Sequence, residues 1–257
     1  MSNYTDMIYQ NKPLTKGGKI MCHFEYVSKE ILKPFKNEID ELIRLVQNDV
    51  RDKFTFQYKF VGSVARNMVT YDSKSNIGFD FDINLIINDE NEYYSAKEIK
   101  KILICSFNKF AHRFNYDDCE DSTRVLTIKV KDTYNSKILH SCDFAIVHDY
   151  GNSEQEYIHF NKKQNSYSWE AQSKGYYKLP DKIDFCKNNN LWQAVRDLYL
   201  EKKNHNLDLN KKSRSIFAET IHQICQQNEY YDDIEAEADY EKYDMYERLG
   251  IVRLQKV

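Results

Sequence analysis

Turn-forming residues are scarce in this sequence: its 257 residues include only three prolines and seven glycines, and no low-complexity stretch interrupts them. That argues against a flexible inter-domain linker and predicts a compact chain. No apolar run approaches the ~18 to 20 residues that a membrane span needs. The N-terminus also lacks an apolar stretch of signal-peptide length. The six cysteines (Cys22, Cys105, Cys119, Cys142, Cys186 and Cys225) include no Cys-x-x-Cys pair and show no metal-ligand rhythm. Cys105 and Cys142 lie in apolar stretches and are expected as small core residues. A soluble, reduced, cytoplasmic protein with no membrane partner is expected. Charge of one sign is lacking too. There are 37 Lys and Arg against 40 Asp and Glu, a net charge of -3. Bulk attraction to a polyanion is therefore excluded, although a local basic cleft is not.

Aromatic residues, by contrast, are plentiful at 14% of the chain, with 20 Tyr and 14 Phe. That is too many for a disordered chain. Hydrophobic residues make up 41% and charged residues 30%, and the mean hydropathy is -0.74. The length suffices for one large domain or two small ones, each with a core and a very polar exterior.

Periodicity outlines the elements. Ser28 is placed to cap a long helix in which Ile31, Phe35, Ile39, Leu42, Val46 and Val50 recur every three or four residues. Phe54, Phe56, Tyr58 and Phe60 alternate with polar residues, as in a half-buried strand that ends at Val61-Gly62-Ser63. Residues 70–78 read as a polar loop and Phe79 to Ile87 as a strand. Residues 95–114 read as a helix. Leu126, Ile128 and Val130 mark the apolar face of a strand, with Thr127 and Lys129 on the other face. A turn near residues 134–136 leads to a strand over Ile138–Val147, and the two predict an antiparallel hairpin. Tyr157–Phe160 adds a strand, and from about residue 181 the pattern is helical, clearest over Leu191–Lys202 and Ser213–Gln226. This order predicts an α+β fold with a mostly helical C-terminal half: residues 1–165 as a catalytic core behind a long N-terminal helix, and 166–257 as a helical domain packed on it.

The informative segment is Phe79-Asp80-Phe81-Asp82-Ile83-Asn84-Leu85. Alternate side chains of a strand share a face, so Asp80, Asp82 and Asn84 point one way and the apolar residues the other. Two carboxylates so placed repel each other, and a divalent cation removes that cost. Mg²⁺ takes oxygen ligands and commonly uses one or two carboxylates plus substrate phosphates. Asp143 is the lone acid within the apolar stretch Cys142–Val147, costly there unless paired or metal-bound. Asp149 shares its parity but lies at the strand end, as second choice. Upstream, Gly62-Ser63-Val64-Ala65-Arg66 offers a sharp turn, a hydroxyl and a cation to a phosphate, or Arg66 as a brace for the acid strand. His140 and His148 flank Asp143 on the opposite strand face and should not join it. The acidic stretch Tyr230–Tyr246 reads as an exposed helix.

Strand, Gly-Ser, short helix, strand with Asp-x-Asp and strand with Asp, in that order, resembles the polymerase-β-like nucleotidyltransferase superfamily over residues 54–147. The long helix before the catalytic strand and the tail Ser213–Cys225 resemble its oligoadenylate-synthase and cyclic GMP–AMP-synthase branch, which includes the bacterial CD-NTases. The resemblance implies an enzyme that moves a nucleoside monophosphate from a nucleoside triphosphate to an acceptor hydroxyl. Asp80, Asp82 and Asp143 would hold two Mg²⁺ ions, for which Mn²⁺ substitutes. Gly62, Ser63 and Arg66 would hold the triphosphate. Ser213 or Ser215, with a basic residue among Arg196, Lys202 and Lys203, would hold the distal phosphates. An aromatic near Tyr167 or Trp169 would stack on the base, whereas packing alone predicts a core role for Trp169. Another nucleotide is the favoured acceptor, giving an oligonucleotide or cyclic-nucleotide signal. A small molecule, RNA or protein acceptor, a nucleic-acid or protein activator, and a non-catalytic nucleotide- or RNA-binding module remain alternatives. The segment Thr70–Asn76 is longer than the family pattern, and no zinc cluster of the animal synthase type is present.

Overall fold

The computed structural model describes residues 23–72, 78–89, 93–134, 137–151, 154–172, 179–208 and 210–230. The chain divides into two compact units, Met1–Ser173 and Lys174–Val257.

The first unit opens with β1 (Phe24–Tyr26) and the long helix α1 (Lys29–Val50). Ser28 caps α1 by accepting a hydrogen bond from the Ile31 amide. Pro34 sits in the early turns of the helix. Leu32, Ile39, Leu42, Ile43, Val46 and Val50 form its buried stripe, and Ile31 and Phe35 pack against the same core. There follow β2 (Thr55–Val61), the single turn α2 (Gly62–Ala65), β3 (Thr70–Asp72) and β4 (Phe79–Asn88). Next come α3 (Ala96–Ala111), β5 (Glu120–Asp121), β6 (Val125–Asp132), β7 (Lys137–Asp149), β8 (Gln155–Asn161) and β9 (Ser166–Ala171). A capping box between Ser95 and Glu98 starts α3.

The main sheet runs β2-β4-β7-β6-β5, with β8 on β7 and β9 on β8. Its centre is the parallel pair β4 and β7; the remaining pairs, including the hairpin β6–β7, are antiparallel. The odd residues of β4, Phe79 to Ile87, are buried with Cys142, Phe144 and Ile146 of β7 beneath α1 and α3. Phe35 of α1 meets Phe79 edge-on and Phe107 of α3 lies 4.5 Å from Phe144, so both helices cover this one face. Lys100 of α3 reaches the sheet with its ammonium 2.7 Å from both Asp121 and the Ser122 carbonyl. Burial pulls its pKa down while Asp121 opposes the shift.

Two expectations need correction. Thr70–Asp72 is a strand, pairing with Phe24–Tyr26 in a separate two-stranded sheet; Asn76 and the rest of 73–77 lie outside the described residues. A three-residue strand paired across more than forty residues leaves no periodic trace. Ser166–Ala171 is also a strand, in register with β8, so the first unit includes residues that patterning assigned to the helical half. Within that strand alternation is short and flanked by polar turns, which hides it.

The second unit contains α4 (Leu179–Asn188), α5 (Trp192–His205) and α6 (Ser213–Gln227). Cys186, Val195, Tyr199, Ile216, Phe217, Ile221, Ile224 and Cys225 are buried in it. Beyond Tyr230 the acidic stretch lies outside the described residues. Among the described residues, no helix is long and apolar enough to cross a membrane.

Gly78 is where β4 begins. A Cβ there would lie 2.2 Å from the Leu139 carbonyl oxygen and 2.5 Å from that of Ile138. Gly78→Ala is expected to cost about 2 kcal/mol or more, because backbone of β7 must move. Ser95→Ala, which removes one cap, should cost only about 1 kcal/mol. Denaturant midpoints of the two variants check the order, and equal effects would contradict the close approach at Gly78.

Candidate active site

The face of the sheet away from α1 and α3 carries the acids. Asp80 and Asp82 occupy it because the odd residues of β4 are in the core. In the parallel register Asp82 lies beside Asp143 and Asp80 beside Ser141. On the other side of β4, Val61 pairs with Asp82, so β2 ends next to that carboxylate. Here Gly62 turns the chain with φ +62°, and a Cβ on it would lie 2.2 Å from Asp82 Oδ2. The space of the missing side chain is taken by the carboxylate, which explains a glycine at this spot on two counts. One row across four strands therefore reads Val61, Asp82, Asp143, Thr127.

Electrostatics mark the row. Burial pushes the Asp82 pKa up to about 6, with added repulsion from Asp143 and Asp80, and Arg66 opposes the shift. Arg66 thus lies within electrostatic reach of Asp82, consistent with a brace for the acid strand. Burial also raises the Asp143 pKa, partly offset by the Thr127 hydroxyl, which donates to Asp143 Oδ1 at 2.6 Å. Ser141 Oγ donates to Asp80 Oδ1. Sequence reading did not single out Thr127 and Ser141 as site residues. Strand parity contained the signal, since Thr127 was already on the polar face of its strand and Ser141 is two residues before Asp143.

The other candidates separate cleanly. Asp149 is exposed at the strand end, where it accepts from the Gly151 amide at 3.0 Å and from Gln155 at 2.8 Å; it serves the turn. His140 packs in the core against Phe79 and contacts the Tyr116 hydroxyl at 3.0 Å, and burial lowers its pKa to about 4. Tyr167 and Trp169 occupy the face opposite the carboxylates. Tyr157 shares the register row of Val147 and pairs with Glu170, whose parity in β9 is opposite to that of Tyr167 and Trp169. Tyr167 stacks on Phe160 and Trp169 on His148 at 3.8 Å, so both rings are engaged in packing within the first unit. Cys142 is buried as expected, but Cys105 is exposed. The helical period turns Cys105 outward among apolar neighbours, toward a groove of about 330 Å³ between α1 and α3 lined by Lys53, Lys101 and Lys109. That groove belongs to the helical layer, on the other side of the sheet from the acids.

Ser213, Ser215 and Lys202 belong to the second unit. Both serines are exposed in the first turn of α6. Lys202 of α5 points its ammonium at the Glu219 carbonyl, 3.5 Å away and one helical turn beyond Ser215. The unit therefore brings Lys202 to the serine-bearing helix, whereas Gly62, Ser63, Arg66 and the three acids cluster within the first unit.

A raised carboxylate pKa has a definite sign. Between roughly pH 4 and 6 the native state holds a proton at Asp82 that the unfolded chain has lost, so stability falls as pH rises through that window. The penalty is absent below the unfolded pKa and complete above about 6, where it amounts to about 3 kcal/mol. Without divalent cations, Asp82→Asn is expected to melt about 6 to 12 °C above the unsubstituted protein at pH 7.5. The gap should close near pH 4. A gap independent of pH would rule out the repelled carboxylate as its cause.

No protein-family model matches this sequence, and no curated protein does. Solved structures do. The GTP-bound form of Vibrio cholerae DncV matches with a TM-score of 0.51 and 14% identity over 81% of this chain and 54% of that one. Its 3′-deoxy ATP-bound form matches with a TM-score of 0.50 and 14% identity, over 82% of this chain and 55% of that one. The complex with nonhydrolyzable GTP, described as a cyclic AMP-GMP synthase, gives 0.50 and 13% identity over 81% and 55%. The chain thus spans about half the length of these proteins. Identity this low speaks to architecture alone, and the architecture is the fold of these DncV structures, a mixed α+β sheet flanked by helices.

Proposed function

We propose that the chain is a metal-dependent nucleotidyltransferase that moves a nucleoside monophosphate from a nucleoside triphosphate to an acceptor hydroxyl. The observation that carries this reading is the parallel register of β4 and β7, which sets Asp82 beside Asp143 with Asp80 two residues away on the same face. Among the described residues, no three acid, histidine or cysteine side chains are already closed into a metal cage. The donor set nevertheless fits Mg²⁺: three hard oxygen ligands on one face of the β4–β7 pair, two of them, Asp82 and Asp143, with pKa values raised by burial and by neighbouring carboxylates, Asp80 among them. A divalent ion would relieve that repulsion, and water and phosphate oxygens would complete its shell.

When bound, Mg²⁺ supplies Lewis acidity and neutralises phosphate charge. The chain's own residues supply position. The turn at Gly62-Ser63 presents backbone amides and a hydroxyl to the triphosphate, and Arg66 adds positive charge beside Asp82. Asp143 orients the acceptor hydroxyl and takes its proton. The oxygen then forms a bond to the α-phosphorus, the bond from that phosphorus to the bridging oxygen breaks, and pyrophosphate leaves in line. Positioning and charge compensation account for the rate. We favour a nucleotide acceptor, giving a linear or cyclic oligonucleotide, in keeping with the fold shared with a cyclic AMP-GMP synthase.

Thermal stabilisation by ATP or GTP, with and without Mg²⁺, tests the reading. Metal-dependent stabilisation is expected, and it should vanish in the double variant Asp80→Asn with Asp82→Asn. If that variant is stabilised equally, the carboxylates are not the metal site. Incubation with four radiolabelled triphosphates and Mg²⁺ or Mn²⁺ then identifies the acceptor. Phosphatase-resistant nucleotide products support a nucleotide acceptor, and label on the protein would replace it with nucleotidylation.

A further inference from the structure

We infer that Thr127 is a positioning residue for the metal site, fixing the Asp143 carboxylate so that one of its oxygens is left to a cation. This inference rests on the reading of Asp80, Asp82 and Asp143 as metal ligands. Thr127 comes from β6, the strand on the far side of β7 from β4, and register places it directly beside Asp143. It is 7% exposed, so its hydroxyl has few competing partners in water. Its hydroxyl donates to Asp143 Oδ1 at 2.6 Å. A β-branched side chain in a strand has a restricted χ1, which makes the donor stiff.

A threonine has one proton to donate, and two carboxylates flank this one. On its other side Thr127 pairs with Glu120 of β5. Glu120 is engaged by Lys129, 2.6 Å from its Oε2. The lysine thus satisfies the outer acid and the single hydroxyl proton goes to the inner one. Ser141 does the equivalent for Asp80 by donating to its Oδ1 from the adjacent register position. Asp143 and Asp80 therefore each have one oxygen held by a hydroxyl from the neighbouring strand. Asp82 instead occupies the space a side chain at position 62 would need and lies within reach of the charge of Arg66. Partners that orient a ligating carboxylate without touching the metal typically change metal affinity about 10- to 100-fold when removed.

The probe is Mn²⁺ alone, followed by electron paramagnetic resonance on the full chain. Thr127→Val removes the hydroxyl at nearly constant volume and is expected to weaken Mn²⁺ binding about tenfold. Thr127→Ser keeps the donor and should bind within about twofold of the unsubstituted protein. Equal loss in both variants would assign the effect to packing and overturn the inference. So would unaltered binding by Thr127→Val. Should Thr127→Val fail to fold by circular dichroism, Thr127→Ala against Thr127→Ser poses the same question with the same expected order. Failure of the underlying reading is separable, because then the unsubstituted protein itself shows no saturable Mn²⁺ binding, or Asp80→Asn with Asp82→Asn binds as well as it does.

Discussion

The parallel pairing of β4 with β7 is the constraint on which the rest of the site depends. A parallel pair in the middle of a sheet is flanked on both sides, and here β2 and β6 do the flanking. Once Phe79, Phe81, Ile83 and Leu85 are committed to the core, the side-chain period of two leaves Asp80 and Asp82 no other face. A slip of one residue in β4 would bury both carboxylates under α1 and α3 and expose four large apolar groups. The core therefore enforces the position of the acids. The aromatic contacts of Phe35, Phe79 and His140 near the start of the pair are part of that enforcement.

Bringing like charges together has a free-energy cost, and the surroundings show how it is contained. Arg66 lies near Asp82, hydroxyls meet Asp80 and Asp143, and Lys129 is held one strand further out by Glu120. None of these neutralises the row outright. The acids are held in position while an electrostatic deficit remains that a cation is suited to fill.

Much of this was legible in the sequence. The run from Phe79 to Leu85 announces its strand and its two faces, and Asp143 is conspicuous as the lone acid in an apolar stretch. The long helix from Lys29 and its Ser28 cap are equally plain. What escaped depended on contacts between distant residues. The pairing of Thr70–Asp72 with Phe24–Tyr26 and the tight contact of Gly78 with β7 have no local signature. The aromatic rings of β9 were visible, but the face they occupy is set by register through β8 back to β7. Cys105 misled because apolar neighbours were read without the helical phase. Thr127 was placed on the correct face and its strand in a hairpin with the Asp143 strand, yet the register that sets it directly beside Asp143 emerges only in the structure.

The contact between Gly62 and Asp82 ties together two positions twenty residues apart in the chain. A side chain larger than hydrogen at one demands a shorter or redirected side chain at the other. The two positions are thus one heritable unit rather than two. A lineage that abandoned the carboxylate would lift one of the two constraints on Gly62 and leave the other, its positive φ. Distant sequences that have lost all other likeness to this one can accordingly be sorted by whether that pair survives intact, is replaced together, or is broken.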